Sequence, residues 1–272
     1  MRLIGVVDLM AGRAVHARGG VRERYAPVGV VAGTAIDGDP LALARAYVHQ
    51  FGLPELYAAD LDAILGHQAQ DTIVHDLATV APLWLDAGVS SAEAARRVLG
   101  LGAARVISAL ETLESFDALA AICAAVGGER VAFSLDLRNG EPVAPRLVVR
   151  SSESAASQLG IRGKPVAPHL RTSGDSAHQL AARAADAGAG AVIVIDLARV
   201  GTATGLDVDL IARVRAAAPA TMLIAGGGVR GLDDLARLAD AGCDTALVAS
   251  ALHDGRLGAA DIRRFLHASE SL

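Results

Sequence analysis

Short apolar runs rich in Val, Ile, Leu and Ala recur along the chain, separated by longer stretches with a helical period. The runs are apolar on both faces, which is typical of strands in a parallel sheet that is covered on both sides. Eight runs have the length of a strand: LIGVVD (3–8), ELYAAD (55–60), LWLD (83–86), ARVISAL (104–110), RVAFSLD (130–136), AVIVID (191–196), TMLIAG (221–226) and TALVAS (245–250).

Amphipathic stretches follow these runs and predict helices. Asp39-Pro40 and Ser90-Ser91 are suitable helix starts, since a capping side chain or an early proline is favoured there. Eight strand–helix units in 272 residues predict a (β/α)8 TIM barrel, with a doubly wound sheet as the alternative. The predicted helices cover 40–51, 71–80, 91–101, 114–126, 176–188, 206–218, 231–241 and 259–268.

The sequence also repeats itself. DLMAGRAV at 8–15 matches DLRNGEPV at 136–143, and Gly88-Val89 returns as Gly228-Val229. Matches in the same order over this distance indicate a duplicated block rather than a short repeat. We therefore predict one barrel over 1–272, built from half-barrels of about 1–128 and 129–272.

A long segment, 139–175, separates the fifth predicted strand from its helix. Loops between strand and helix usually have about 2–6 residues. The segment is therefore predicted to be a lid-like insertion, with a disordered surface insertion as the alternative.

Charge and composition exclude several classes of protein. Twenty-five Lys and Arg against 30 Asp and Glu give a net charge of −5, without the basic excess of a nucleic-acid binder. No apolar run approaches the length of a membrane span, and Asp8 interrupts the N-terminal apolar stretch, unlike a signal peptide. Two cysteines form no disulfide framework. These features predict a cytoplasmic protein and leave its oligomeric state open.

Aspartates close five of the eight predicted strands, where barrel enzymes carry their chemistry. One such residue is readily explained as a loop cap, but five indicate acid–base chemistry, because neighbouring buried carboxylates acquire different pKa values. No histidine joins them at metal-ligand spacing, so we predict neither a metal site nor a cofactor. The five are Asp8, Asp60, Asp86, Asp136 and Asp196.

A glycine triplet, Gly226, Gly227 and Gly228, follows the seventh strand, and Ser250 follows the eighth. Because glycine has no side chain, its backbone amide can approach an anion closely. The loops after strands 7 and 8 commonly bind phosphate in such barrels. A simple tight turn is the alternative. His16, in the loop after the first strand, is a further candidate for binding a carbonyl or phosphate.

Together these motifs resemble the histidine-biosynthesis barrels of the HisA/HisF type. The resemblance covers nearly the whole chain except 139–175, and the twofold repeat is a mark of that family. The motifs are VVDLMAGRAV, YAADLDAI, SLDLRNGEPV, VIDLARVGTATG and AGGGVRGLDDL.

The resemblance implies an activity. The isomerase of that family performs a metal-free Amadori rearrangement of an aminoaldose to an aminoketose on a substrate held by phosphates at both ends. By position, Asp8 and Asp136 match its catalytic aspartates on strands 1 and 5, and Gly226, Gly227 and Gly228 match phosphate-binding glycines. We expect Asp8 and Asp136 to transfer protons, with Asp196 or Asp86 assisting; either Asp136 or Asp196 is the acid.

Three positions depart from the pattern. Val200 stands where the isomerases have the acidic residue of Asp-Gly-Thr, Asp86-Ala87-Gly88 replaces a phosphate-binding glycine triplet, and His16 replaces an arginine. A carboxylate repels phosphate. The pattern therefore predicts a HisA-like isomerase or lyase acting on a small, singly phosphorylated sugar-like or amino-sugar metabolite. Its expected place is among the tetrahydromethanopterin-linked C1 genes.

Two alternatives stay open. One is the authentic histidine-pathway phosphoribosylformimino-aminoimidazole carboxamide ribotide isomerase. The other is a non-catalytic barrel that binds a phosphorylated metabolite.

Overall fold

The computed structural model describes residues 1–143 and 174–270, with side chains up to Leu266. Its centre is a closed barrel of eight parallel strands, each paired with the next in the chain, and β8 pairs back onto β1 from Arg2↔Thr245 to Gly5↔Val248. The strands are β1 (Arg2–Met10), β2 (Leu56–Asp60), β3 (Leu83–Asp86), β4 (Arg105–Ala109), β5 (Val131–Arg138), β6 (Ala191–Asp196), β7 (Met222–Gly226) and β8 (Thr245–Val248).

Helices surround the barrel. Asp39 and Ser91 cap α1 and α4 by accepting hydrogen bonds from backbone amides of the first turn, as their positions predict. The helices are α1 (Pro40–Arg45), which continues as a π-helical turn (Ala46–Gln50), α2 (Leu61–Ile64), α3 (Asp71–Val80), α4 (Ala92–Gly100), α5 (Phe116–Val126), α6 (Ala177–Asp186), α7 (Val208–Ala217), α8 (Leu232–Asp240), α9 (Ser250–His253) and α10 (Ala259–Glu270).

Both faces of the strands are buried, and their side chains form two separate hydrophobic clusters. Side chains such as Leu3 and Val7 belong to the large core between barrel and helices. Alternate residues such as Ile4, Trp84 and Ile193 form a smaller cluster that fills the barrel. This division explains why the strands have nearly continuous apolar sequences rather than an alternating pattern.

The predicted (β/α)8 barrel is confirmed, and its closure excludes the doubly wound sheet. The predicted eighth strand is wrong at its end, because Ser250 begins the short helix α9 instead of closing β8. The first strand is longer than predicted, since it continues to Met10 as one arm of a hairpin with Arg13–His16. The division into half-barrels stays a prediction.

Residues 144–173 of the predicted insertion lie outside the described residues. Within the described part of the chain, no helix is both long and apolar enough to cross a membrane. Cys123 and Cys243 are buried free thiols.

Candidate active site

A cavity of about 210 Å³ opens at the carboxyl ends of the barrel strands. Among the residues that line it are three of the five strand-end aspartates, Asp8, Asp86 and Asp136, together with Glu111. Four carboxyl groups therefore face one enclosed space. The described lining of this cavity does not include Asp60 or Asp196.

Asp8 and Asp136 occupy matching positions on opposite sides of the barrel, because β1 and β5 are four strands apart in a ring of eight. Each lies on a strand that continues into a hairpin, β1 with Arg13–His16 and β5 with Glu141–Pro142. Both hairpins turn through a non-glycine residue and a glycine with positive φ: Ala11 and Gly12 at 50° and 78°, Asn139 and Gly140 at 55° and 83°. The sequence repeat thus corresponds to one local structure used twice.

The surroundings of Asp8, Asp86 and Asp136 raise the pKa of all three carboxyl groups. Burial raises the pKa of Asp8 to about 7. Burial and the nearby Glu111 raise the pKa of Asp136 to about 7, against a hydrogen bond from Ser134 and the charge of Arg22. Burial, Asp136 and Glu111 likewise raise the pKa of Asp86 to about 7. Groups with such values exchange protons readily at physiological pH.

Asp60 and Asp196 have different surroundings, because backbone amides of the loops donate hydrogen bonds to their carboxylates. Asp60 accepts hydrogen bonds from the backbone amides of Ala63 and Gln70, at 3.0 and 2.8 Å. Asp196 accepts from the amides of Asn139, Gly140 and Ala198, each at 3.1 Å. The structure therefore places Asp196, predicted to assist catalysis, against the hairpin turn after β5 and not with the cavity aspartates.

The glycine triplet at the end of β7 lines the cavity. Gly227 and Gly228 have φ of 84° and 106°. A Cβ atom at these two positions would lie 2.8 Å from the carbonyl oxygen of Asp196 and 2.7 Å from that of Gly205. Glycine is therefore required here by close backbone packing and by the left-handed backbone conformation.

The corresponding loop in the first half begins with a carboxyl group in place of a glycine. The carboxylate of Asp86 accepts a hydrogen bond from the backbone amide of Gly88 at 3.2 Å. Glu111, after β4, adds a second carboxylate to this side of the cavity. Two carboxyl groups thus stand where the second half of the barrel has glycines.

His16 and Ser250, both predicted to bind substrate, are in contact. Nε2 of His16 lies 2.7 Å from Oγ of Ser250, which joins the hairpin after β1 to the helix after β8. Both residues line the cavity beside the glycines.

Val200 also lines the cavity. An apolar side chain therefore occupies the position at which the isomerases in the resemblance have an acidic residue. The carbonyl oxygen of Val200 accepts a hydrogen bond from the amide of Gly19 at 2.7 Å, which holds the loops after β1 and β6 together. Gly201 lies so close to the first of these loops that its Cβ would be 2.4 Å from the carbonyl oxygen of Ala17.

Several cavity residues were not predicted as site residues from the sequence. Arg22 and Tyr25 lie in the long first loop, and Glu111 follows Leu110 at the end of the fourth apolar run. His253 and Arg256 follow Ser250 in SALHDGR, so their proximity to a predicted site residue was the available signal. The unpredicted residues with polar or charged side chains are Arg22, Tyr25, Tyr57, Glu111, Arg138, His253 and Arg256. Among the described residues, no group of three or more His, Cys, Asp or Glu is arranged to hold a metal ion.

Comparison with known proteins identifies similar sequences along almost the entire chain. The family model described as histidine biosynthesis protein matches residues 2–258. A protein from Thermus thermophilus is 34% identical over 259 residues, covering 94% of this chain and 96% of its own. One from Deinococcus radiodurans is 31% identical over 260 residues, covering 94% and 95%. Both are named 1-(5-phosphoribosyl)-5-((5-phosphoribosylamino)methylideneamino)imidazole-4-carboxamide isomerase.

Proposed function

The chain belongs to the histidine biosynthesis protein family of HisA and HisF, and from this we propose that it is an acid–base isomerase of a small phosphorylated metabolite. The observation that carries the proposal is the pair Asp8 and Asp136, on opposite strands of one cavity, each with its pKa raised to about 7. A non-catalytic phosphate-binding barrel has no need of two such groups.

Asp8 and Asp136 divide the proton transfers in this proposal. One carboxylate removes a proton from the substrate carbon next to the carbonyl or imine, while the opposite carboxylic acid protonates the ring oxygen that leaves. These two transfers convert an aminoaldose into an enaminol, which becomes the aminoketose when C1 gains a proton and the C2 hydroxyl loses one. Because the pKa values of both groups lie near 7, the protonated and ionised forms are both populated at neutral pH.

The phosphate group of the substrate is placed at the ends of β7 and β8. Gly227 and Gly228 leave their backbone accessible from the cavity, and His16 and Ser250 add side chains beside them. Asp234 already accepts hydrogen bonds from the amide and guanidinium of Arg230, both at 2.9 Å. The carboxylate of Asp234 thus stands in the first turn of α8 beside Arg230, so we place the phosphate on the glycine loop rather than at that helix end.

The compound in the relatives' name, which carries two phosphoribosyl groups, is the first candidate substrate. Similarity over 94% of the chain favours it over an unrelated metabolite. The expected placement among methanopterin-linked C1 genes has no support in these comparisons, and we do not retain it.

A singly phosphorylated sugar-like or amino-sugar compound is the second candidate, and a specific observation favours it. Asp86 occupies the amide of Gly88, and Glu111 adds a second carboxylate, at the position where another phosphate would bind. A carboxylate about 4 Å from a phosphate costs about 1 kcal/mol in water and more where water is excluded. This end of the cavity suits hydroxyl or amino groups.

A direct assay tests the proposal. The purified protein is incubated with the phosphoribosyl compound named for the relatives and, separately, with phosphorylated aminoaldoses, and the ketose product is measured. Turnover of the first compound supports the histidine-pathway candidate. So does growth without histidine of a strain that lacks this isomerase and expresses the protein instead. Turnover of a singly phosphorylated aminoaldose alone supports the second. Binding without turnover of any of them contradicts an isomerase.

A further inference from the structure

Two buried nitrogen atoms beside Ser250 lack hydrogen-bond partners among the described residues. They are Nδ1 of His253 and Nη1 of Arg256, and both residues line the cavity. Buried polar atoms are nearly always hydrogen-bonded, so these two nitrogen atoms are candidates for pairing with a group that binds in the cavity.

Arg256 is held so that one nitrogen remains for a ligand. Its Nε and Nη2 donate to the two carboxylate oxygens of Asp254, at 3.1 and 2.8 Å. This paired contact fixes the plane of the guanidinium. Because Nη1 can only donate, its partner must be an acceptor such as a phosphate oxygen.

His253 is held in one tautomer. The hydroxyl of Tyr47 donates to the carbonyl oxygen of Val6 at 3.0 Å, so it accepts the hydrogen bond from Nε2 of His253 at 2.6 Å. The proton is therefore on Nε2, and Nδ1 has a free lone pair. Gly5 makes room for this arrangement, since a Cβ there would lie 2.5 Å from Cδ2 of Tyr47.

Basic groups crowd around this point. The ring of His16 meets that of His253 edge-on at 5.1 Å between centroids. Burial and the neighbouring His16 lower the pKa of His253 to about 4, and Asp254 opposes the shift. Burial, Arg18 and Arg256 lower the pKa of His16, again against Asp254. Such a cluster disfavours further positive charge until an anion compensates it.

We propose that His253 and Arg256 bind the substrate phosphate together with Ser250, and that one proton is shared between Nδ1 of His253 and a phosphate oxygen. This rests on the proposed function, which places phosphate at this end of the cavity. A lone pair facing a phosphate oxygen requires a proton between the two atoms. At pH 7.5 a free phosphate monoester is mostly a dianion, because its second pKa is about 6, and His253 is neutral. Binding therefore takes a proton from the solvent.

Titration calorimetry with methyl phosphate at pH 7.5, in two buffers with different ionisation enthalpies, measures both Kd and proton uptake. We expect wild type to take up a proton. Arg256→Gln is expected to weaken binding about 10- to 100-fold. Arg264→Gln is the matched control: it removes the same charge from the terminal helix, where Arg264 pairs with Asp261 at 2.8 Å, and is expected to bind like wild type.

His253 is tested by two substitutions that keep different halves of the imidazole. His253→Gln keeps a nitrogen near the position of Nε2 and removes Nδ1, so proton uptake is expected to disappear and binding to weaken. His253→Asn places an amide near Nδ1 and is expected to bind more tightly than His253→Gln. If Kd is unchanged in Arg256→Gln and proton uptake is unchanged in His253→Gln, this inference is wrong and the proposed function is unaffected. Failure of wild type to bind methyl phosphate would overturn the phosphate end of the proposed function as well.

Discussion

The carboxylate of Asp86 accepts a hydrogen bond from the backbone amide of Gly88, two residues further along the chain. Gly88 has a φ of 69°, so the loop turns back on the side chain that begins it. In the second half of the barrel the same turn has glycines and leaves its backbone open to the cavity. The two ends of the site thus differ in charge although the surrounding strands and hairpins match.

Removing the Asp86 charge is expected to stabilise the protein at high pH. The folded state raises the pKa of Asp86 to about 7 from 3.8, so between these values the folded protein binds more protons than the unfolded chain. Its free energy of unfolding therefore falls as pH rises through this range, by about 1.4 kcal/mol per unit of pKa shift. Asp86→Asn removes this loss and keeps an acceptor for Gly88.

Urea unfolding at pH 5 and pH 8 measures the difference. Asp86→Asn is expected to exceed wild type by a few kcal/mol at pH 8 and by much less at pH 5. Asp240→Asn, at an exposed residue that ends α8, is the control and should show no such change. An equal effect of Asp86→Asn at both pH values would contradict a raised pKa of Asp86 in the folded protein.

Asp8→Asn and Asp136→Asn are each expected to lower kcat about 10²- to 10⁴-fold, the usual contribution of a proton-transfer group. The amide has nearly the same shape and does not titrate, so the fold is expected to persist, as circular dichroism would report. In wild type, activity requires one ionised and one protonated carboxyl, which predicts a bell-shaped pH profile centred near pH 7. Each variant should lose one side of the bell. Full activity in either variant would show that its aspartate is not a proton-transfer group.

Asp196→Ala is expected to lower stability more than catalysis. It removes an acceptor from three backbone amides, and an unpaired buried amide costs about 1–3 kcal/mol. Asp60→Ala should behave in the same way through Ala63 and Gln70. Urea unfolding and kcat at a temperature where the variant remains folded separate the two effects. A loss of kcat as large as that of Asp8→Asn, with unchanged stability, would show that Asp196 takes part in catalysis.

The strands and helices followed from the sequence because each one carries its own pattern. LWLD at 83–86 and AVIVID at 191–196 are strands with the predicted bounds, since a buried parallel strand must be apolar throughout. Asp39 and Ser91 mark helix starts through a local hydrogen bond.

The division among the aspartates did not follow from the sequence. Asp60 and Asp196 end their strands just as Asp86 does, but the groups that decide their roles, such as the amides of Gln70 and Asn139, lie 10 and 57 residues away. His253 was missed for the same reason, because its partner Tyr47 is 206 residues distant. Contacts of this kind exist only in the folded chain.

The number of phosphates bound by the protein is the last prediction. If the substrate is the singly phosphorylated candidate, crystals soaked in phosphate are expected to show one anion, at Gly227, Gly228 and Ser250, and none at Ala87 and Gly88, beside the carboxyl groups of Asp86 and Glu111. The triple substitution Asp86→Gly, Ala87→Gly and Glu111→Gln removes both charges and frees the amide of Gly88, so a second anion is expected there. The new glycines cost about 0.5–1 kcal/mol each, which opposes the stabilisation expected from removing the Asp86 charge. Equal density at both ends of the wild-type cavity would contradict the single-phosphate candidate and favour the substrate with two phosphoribosyl groups.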